Sequence, residues 1–226
     1  MGTEDDKTIG LLSNQFGRLA AHALERLPGH PESLLWLAER VSGWGRVYVV
    51  EALCRLEDPG ARPWLLRRSI DGDFLNGYCA GKVAVVARLH EALSEFEGDS
   101  EVLDHAGRLL HVMAFCEGMG QTLEHYPHAA VVLEAHVRQL GLLAPTIERF
   151  VVAAMLAKYL TAATPDNLGN DTTPRQAILA AYLSLLDREL ARDGIAAQDN
   201  RLQWLADSGA RLHLRAFADR DAPTEE

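Results

Sequence analysis

At 226 residues with 48% hydrophobic side chains, the chain is long enough to bury a sizeable core and too apolar to remain unfolded. Its net charge is −10, but half of that lies at the ends, in Glu4, Asp5 and Asp6 against Lys7 and in Asp219, Asp221, Glu225 and Glu226 against Arg220. The moderate negative charge left on the body disfavours broad nucleic-acid binding.

The first residues, Met-Gly-Thr-Glu-Asp-Asp-Lys, are acidic and polar, unlike a secretory signal, and residues 1–8 and 219–226 read as disordered tails. From Gly45 through Arg46 to Leu56 the pattern predicts a helix with Val47, Val50, Leu53 and Cys54 inward and Tyr48, Glu51 and Arg55 outward. Glu57 to Ala61, containing Pro59-Gly60, is a turn, and Arg62 to Ile70 restarts a helix with Pro63 in its first turn. Asp71 to Asn76 reads as a joining loop with Asp71, Asp73 or Asn76 as cap, followed by a helix from Gly77 to Leu93. Ser100 is the expected cap of a helix carrying Val102, Ala106, Leu109, Leu110, Met113 and Cys116. Further helices are expected over His128 to Leu140 and Pro145 to Leu160. The second is apolar on nearly every face from Phe150 to Ala157, and so is the expected centre of the C-terminal core. Thr164 to Asp171 is a loop by composition. A capping-box pattern at Thr173-Pro174-Arg175-Gln176 then opens a helix that buries Ile178, Tyr182, Leu185 and Leu186 and ends at Gly194, and a last helix runs from about Asn200 to Phe217. No segment has the strand period, and no apolar run approaches the ~20 residues that cross a bilayer.

One helix–turn–helix unit recurs. Ala23-Leu24-Glu25-Arg26-Leu27 matches Ala52-Leu53-Cys54-Arg55-Leu56 in four of five positions, 29 residues on, and Trp36 and Arg40 fall 28 residues before Trp64 and Arg68. The turn of the earlier copy is Pro28-Gly29-His30-Pro31. The stretch Arg46, Glu51-Ala52-Leu53, Leu56, Asp58-Pro59 and Trp64-Leu65-Leu66 resembles a HEAT-type repeat of the short, phycobilisome-lyase-like kind, over about residues 18–93. The resemblance implies an all-α fold: a HEAT/armadillo-like α-solenoid, or right-handed stack of antiparallel helix pairs. The expectation is one helical domain over residues 1–226, about nine helices, with HEAT-like pairs at 18–93 and an irregular C-terminal half packed from 99 to 217.

Catalytic signatures fail on spacing. Gly-x-Ser-x-Gly, His-Glu-x-x-His and Glu-x-x-His are absent. Gly77-Tyr78-Cys79-Ala80-Gly81-Lys82-Val83 is one residue short of a P-loop and ends on Val83 in place of a hydroxyl. Asp71-Gly72-Asp73 starts like a calcium loop but continues with Leu75, Asn76 and Lys82 where an oxygen ligand, Gly and Glu are needed. Three distant cysteines, Cys54, Cys79 and Cys116, suit a reducing compartment and small buried side chains. Of nine histidines only His90-Glu91 forms the pair that HEAT-like di-iron hydroxylases repeat, and the histidines read as surface or loop residues.

The function expected is therefore a cytoplasmic protein-interaction module without catalysis or cofactor, whose partner is another protein or peptide. Neither nucleic acid nor membrane is expected as a partner. The candidate contacts are Arg26, Trp44, Arg46, Tyr48, Glu51, Arg55, Arg68 and Arg88. Arg26, Arg55 and Arg88 occupy equivalent places and together suit a carboxylate-rich or phosphorylated segment, although a cation in the last turn of a helix also offsets the helix dipole with no partner. Charge is segregated: six arginines fall between Arg40 and Arg68, and six carboxylates with no cation between Glu91 and Asp104. That segregation keeps an alternative open, an immunity- or inhibitor-type protein whose acidic segment covers a basic toxin or nuclease. A lyase-like or metal-dependent enzyme is the remaining alternative.

Overall fold

The structure, a computed structural model, describes residues 16–27, 30–162 and 172–192. The expected tails, the final helix near 200–217, the loop 164–171, the Gly194 terminus, and Pro28 and Gly29 of the first turn lie outside the described residues.

The protein is all-helical, with ten α-helices and no strand among the described residues. In chain order they are α1 (Gly17–Leu24), α2 (His30–Ala38), α3 (Gly43–Leu56), α4 (Arg62–Arg68), α5 (Gly77–Val86), α6 (Leu89–Glu95), α7 (Ser100–Phe115), α8 (Ala129–Leu140), α9 (Ile147–Ala162) and α10 (Thr172–Arg192). Short 3₁₀ turns at Phe74–Asn76 and Leu123–His125 precede α5 and α8.

The ends of α3 follow from local chemistry. Ser42 is extended before it, and Glu57 closes it in the left-handed conformation at φ 50°. Asp58 Oδ1 then accepts the Gly60 amide at 2.7 Å, the local bond that makes Asp-Pro-Gly a turn. The inward stripe of α3 is buried as expected, and Val49 and Ala52 join it because α1, α2 and α5 pack around the same helix.

Three boundaries differ from the sequence reading. The expected helix Gly77 to Leu93 breaks at Ala87–Arg88, where Arg88 is left-handed (φ 49°) and the Ala87 carbonyl accepts Arg62 Nε at 2.9 Å. The cap of α7 is Asp99, not Ser100: its Oδ1 accepts the amides of Glu101 and Val102 at 3.0 and 3.1 Å. The helix expected to start at a Thr173 cap already includes Thr172.

The centre of the C-terminal core also moves. In α9 only Ala153, Ala154, Leu156, Ala157 and Leu160 are buried. The more enclosed helix is α7, which buries Val102, Leu103, His105, Ala106, Gly107, Leu109, Leu110 and Met113 and packs against α4, α5, α6, α8 and α9. Beyond it, α8 and α9 each pack on α10. Cys54, Cys79 and Cys116 are buried thiols, and burial pushes Cys54 and Cys79 up to about 12, so they pack as small apolar side chains.

Candidate functional site

The expected contact residues divide between two faces. On the outward row of α3, Trp44 in the first turn stacks on Tyr48 one turn later, with ring centroids 5.7 Å apart. Tyr78, from the first turn of α5, also packs on Trp44, with ring centroids 4.9 Å apart. Trp44 remains 37% exposed, and Tyr48 and Tyr78 are half-buried. Further along the row, Glu51 pairs with Lys82 of α5, and Arg55 holds Glu25 at 2.7 and 2.8 Å. The charged end of this row is thus matched internally, while its aromatic end faces solvent.

Arg46 leaves that row. Its guanidinium is half-buried and donates to the carbonyls of Ala38 and Arg68, and at 3.4 Å to that of Ser69, with the Trp64 ring 5.0 Å away. Burial lowers its pKa, and Asp71, Cys79 and Glu39 act in the opposite sense. Carbonyls at the ends of α2 and α4 carry the negative end of each helix dipole, so one cation joins two helix termini. Arg46 and Arg68 both line a shallow cleft of ≈ 330 Å³ with Glu39, Arg67, Glu101 and Arg108. Arg26, Arg55 and Arg88 share no bond: Arg55 takes Glu25, Arg88 takes Glu91 at 3.2 Å, and Arg26 lies exposed in the turn after α1.

The segregated charges meet each other. Arg62 binds Glu95 at 2.6 Å, Arg67 binds Asp99 at 2.7 Å, and Arg68 binds Glu101 at 3.1 Å, across 33, 32 and 33 residues of sequence. The hydrogen bond from Arg62 holds the Glu95 carboxyl below its usual range. Asp99 is lowered first by the Val102 amide and then by Arg67. At Asp99 one carboxylate therefore caps α7 and ties it to α4.

The histidine expectation is corrected for two residues. His105 and His136 lie in the core, not on the surface. His105 Nε2 meets Ser69 Oγ at 2.9 Å, its Nδ1 has no partner among the described residues, and burial pushes its pKa down to about 3 with help from Arg108 and Arg46. His136 Nδ1 meets the Tyr182 hydroxyl at 2.8 Å, and burial, opposed by Asp104, brings it to about 4. His90 stacks on His128 at 3.7 Å. Among the described residues no group of three or more His, Cys, Asp or Glu side chains is arranged to hold a metal ion, and no helix is long and apolar enough to cross a membrane.

A second cleft, of ≈ 310 Å³, opens between α7, α8 and α9 and went unread in the sequence. One wall is Arg149 gripping Asp104 through two bonds of 2.7 and 2.9 Å. His136, Arg108, Thr146 and Glu148 form the rest of its polar lining, and Gly107, Leu140 and Val152 complete the wall. The available signal was His136 itself, at an inward position between Leu133 and Leu140 on α8. Comparison with family models, with characterised proteins and with solved structures finds no match.

Proposed function

We propose that this protein is a HEAT-like helical-repeat module of the cytoplasm that binds another protein or peptide through the Trp44–Tyr48–Tyr78 row. The observation that carries the reading is the cluster itself: two tyrosine rings from two helices, each packed on Trp44, with the indole partly open to solvent. Large, rigid aromatics that order little on binding are the residues on which interfaces concentrate their energy. A repeat-like stacking of helix pairs is supported by the bonds linking Glu25 to Arg55, Glu51 to Lys82, Arg62 to Glu95, Arg67 to Asp99 and Arg68 to Glu101, all between 30 and 33 residues apart.

The inhibitor-type alternative draws less support. Three of the six carboxylates between Glu91 and Asp104 already hold Arg62, Arg67 and Arg68, and two more, Glu91 and Asp104, hold Arg88 and Arg149. A basic partner would have to displace these arginines.

Capture from cell extract, read by quantitative mass spectrometry, tests the proposal. Partners retained by the full chain in 1 M NaCl are expected to be lost from a Trp44→Ser, Tyr78→Ser variant of unchanged helicity. Capture by the variant equal to that of the parent chain would overturn the reading.

A further inference from the structure

We infer that the cleft between the end of α4 and α7, lined by Arg46, Arg67, Arg68 and Arg108, receives the phosphoryl group of a phosphate monoester, held by the unspent N–H donors of Arg68 and Arg108. These arginines lie off the aromatic row, and the inference stands apart from the proposed function.

Charge in the lining is unequal. Four guanidiniums face two carboxylates, Glu39 and Glu101, a surplus of two positive charges. Glu39 accepts the Trp64 indole N–H at 3.0 Å, and Glu101 lies 3.1 Å from Arg68 and 3.6 Å from Arg67. From outside the lining, Asp99 acts on Arg67 and Asp71 on Arg46. Asp99 is also met by the amides that open α7, and Asp71 by the Asp73 amide and Asn76 Nδ2, so neither charge is offset by an arginine alone. The carbonyls of Ala38 and Arg68 at two helix ends would repel an anion, but Arg46 already occupies them.

The donors are sorted as well. Arg46 donates from all three of its nitrogens, and Arg67 gives Nη1 to the Pro63 carbonyl and Nη2 to Asp99. Arg68 uses Nη2 alone, on Glu101, and Arg108 uses Nε alone, on the Asp104 carbonyl at 3.4 Å. The other nitrogens of Arg68 and Arg108 have no partner among the described residues, and both side chains are exposed. They stand on different walls, Arg68 in the last turn of α4 and Arg108 on α7.

His105 shows the field beneath them. Glu101, His105 and Arg108 follow four and three residues apart on one face of α7, and the Ser69 that bonds His105 sits between Arg68 and Ile70 of the lining, so this buried pair underlies the cleft. Arg108 and Arg46 both act against a positive charge on the His105 ring, which places both guanidiniums around the same buried point. A neutral imidazole there adds nothing to cancel them. A tetrahedral dianion suits this arrangement: it brings two charges and three oxygens that point in different directions. A carboxylate brings one charge and two oxygens in a single plane.

The test uses the full ¹⁵N-labelled chain in low salt at about pH 7.5, where a monoester carries close to two charges. It is titrated separately with glycerol 3-phosphate, acetylated phosphoserine amide and acetate. The tighter ester is expected to shift the Ser69 and Arg108 amides saturably with a dissociation constant of about 1 mM or lower, and acetate to bind at least about tenfold more weakly. A preference for the phosphoserine derivative identifies a modified protein side chain as the source of the phosphoryl group, and a preference for glycerol 3-phosphate identifies a small ester. Arg68→Gln and Arg108→Gln, at exposed side chains, should keep the helicity and melting temperature and each weaken the tighter ester by about tenfold or more. Arg138→Gln, exposed on α8 outside the cleft, should leave the affinity unchanged. No shift at Ser69 or Arg108 up to about 50 mM of either ester would overturn the inference. Equal affinity for acetate, unchanged affinity in both cleft variants, or equal weakening in Arg138→Gln would do the same.

Discussion

The two halves of the molecule are joined by different chemistry. From α1 to α7, neighbouring helices are tied by charged pairs at the surface: Glu25 to Arg55, Glu51 to Lys82, Arg62 to Glu95, Arg67 to Asp99 and Arg68 to Glu101. From α6 to α10 buried neutral ties are added, His136 to Tyr182 and the Gln139 amide to the Leu93 carbonyl, beside the charged pair of Arg149 with Asp104. Exposed pairs are solvated before and after folding and contribute roughly 0.2 to 1 kcal/mol each. A buried group left without its partner costs about 1 to 3 kcal/mol. Specific polar stability should therefore be concentrated in the C-terminal half, and the N-terminal half should rely on its apolar core.

That division is most exposed to failure at Leu53. Its side chain is fully buried in α3, and Leu53→Ala should cost about 2 to 5 kcal/mol by leaving a cavity. Arg55→Ala, two residues along and paired at the surface, should cost less than about 1 kcal/mol. Urea unfolding of both variants measures the contrast, and equal costs would contradict the assignment of faces.

Acid should act through the two buried histidines, His105, which ties α7 to Ser69 at the end of α4, and His136, which ties α8 to α10. His105 and His136 have folded-state pKa values near 3 and 4, below the 6.5 of an unfolded histidine. The unfolded chain binds protons first, so their contribution is complete above about pH 6.5 and is lost as pH falls from there toward 4. Between pH 8 and pH 5 each should remove about 2 kcal/mol, seen as a falling urea midpoint, and His136→Gln should show about half of that slope. Glu95 and Asp99, both lowered, stay ionised at pH 5 and keep the N-terminal ties.

A smaller loss isolates one buried bond. Tyr182→Phe keeps the ring and removes the hydroxyl from His136 Nδ1, for about 1 to 3 kcal/mol by thermal or urea unfolding. A smaller effect still, about 0.2 to 1 kcal/mol of coupling, is expected for Arg67 and Asp99 in a double-mutant cycle, shrinking in 1 M salt. A coupling of several kcal/mol would mean that this tie behaves as a buried one.

Much of the fold was legible because its signals are local. Pro59-Gly60 and Pro63 mark the turn between α3 and α4, and His128 and Gly141 bracket α8 as read. The break at Ala87–Arg88 was not legible: it contains neither Pro nor Gly, and what takes its free carbonyl is Arg62, 25 residues away. The same applies to Asp99, whose choice over Ser100 as cap goes with its bond to Arg67. The outward positions of Tyr48, Glu51 and Arg55 followed from helical spacing, whereas Trp44, read as part of the turn Ser42-Gly43-Trp44-Gly45, lies in the first turn of α3. The inward turn of Arg46 did not, because the carbonyls of Ala38 and Arg68 that hold it converge only in three dimensions. The charge blocks were visible as composition, and their mutual pairing required the register of α4 against α7.

Backbone amide hydrogen exchange resolved by residue tests the division most directly, as protection factors at pH 7.5 in low salt, at pH 7.5 in 1 M NaCl, and at pH 5 in low salt. Salt is expected to lower protection modestly in α3 to α6 and leave α8 and α10 unchanged, because it screens only the exposed ties. Acid is expected to lower protection in α7, α8 and α10, where His105, His136 and Tyr182 lie, and at the Ser69 end of α4, and to spare α1 and α3. Equal responses of both halves to salt and to acid would contradict the account.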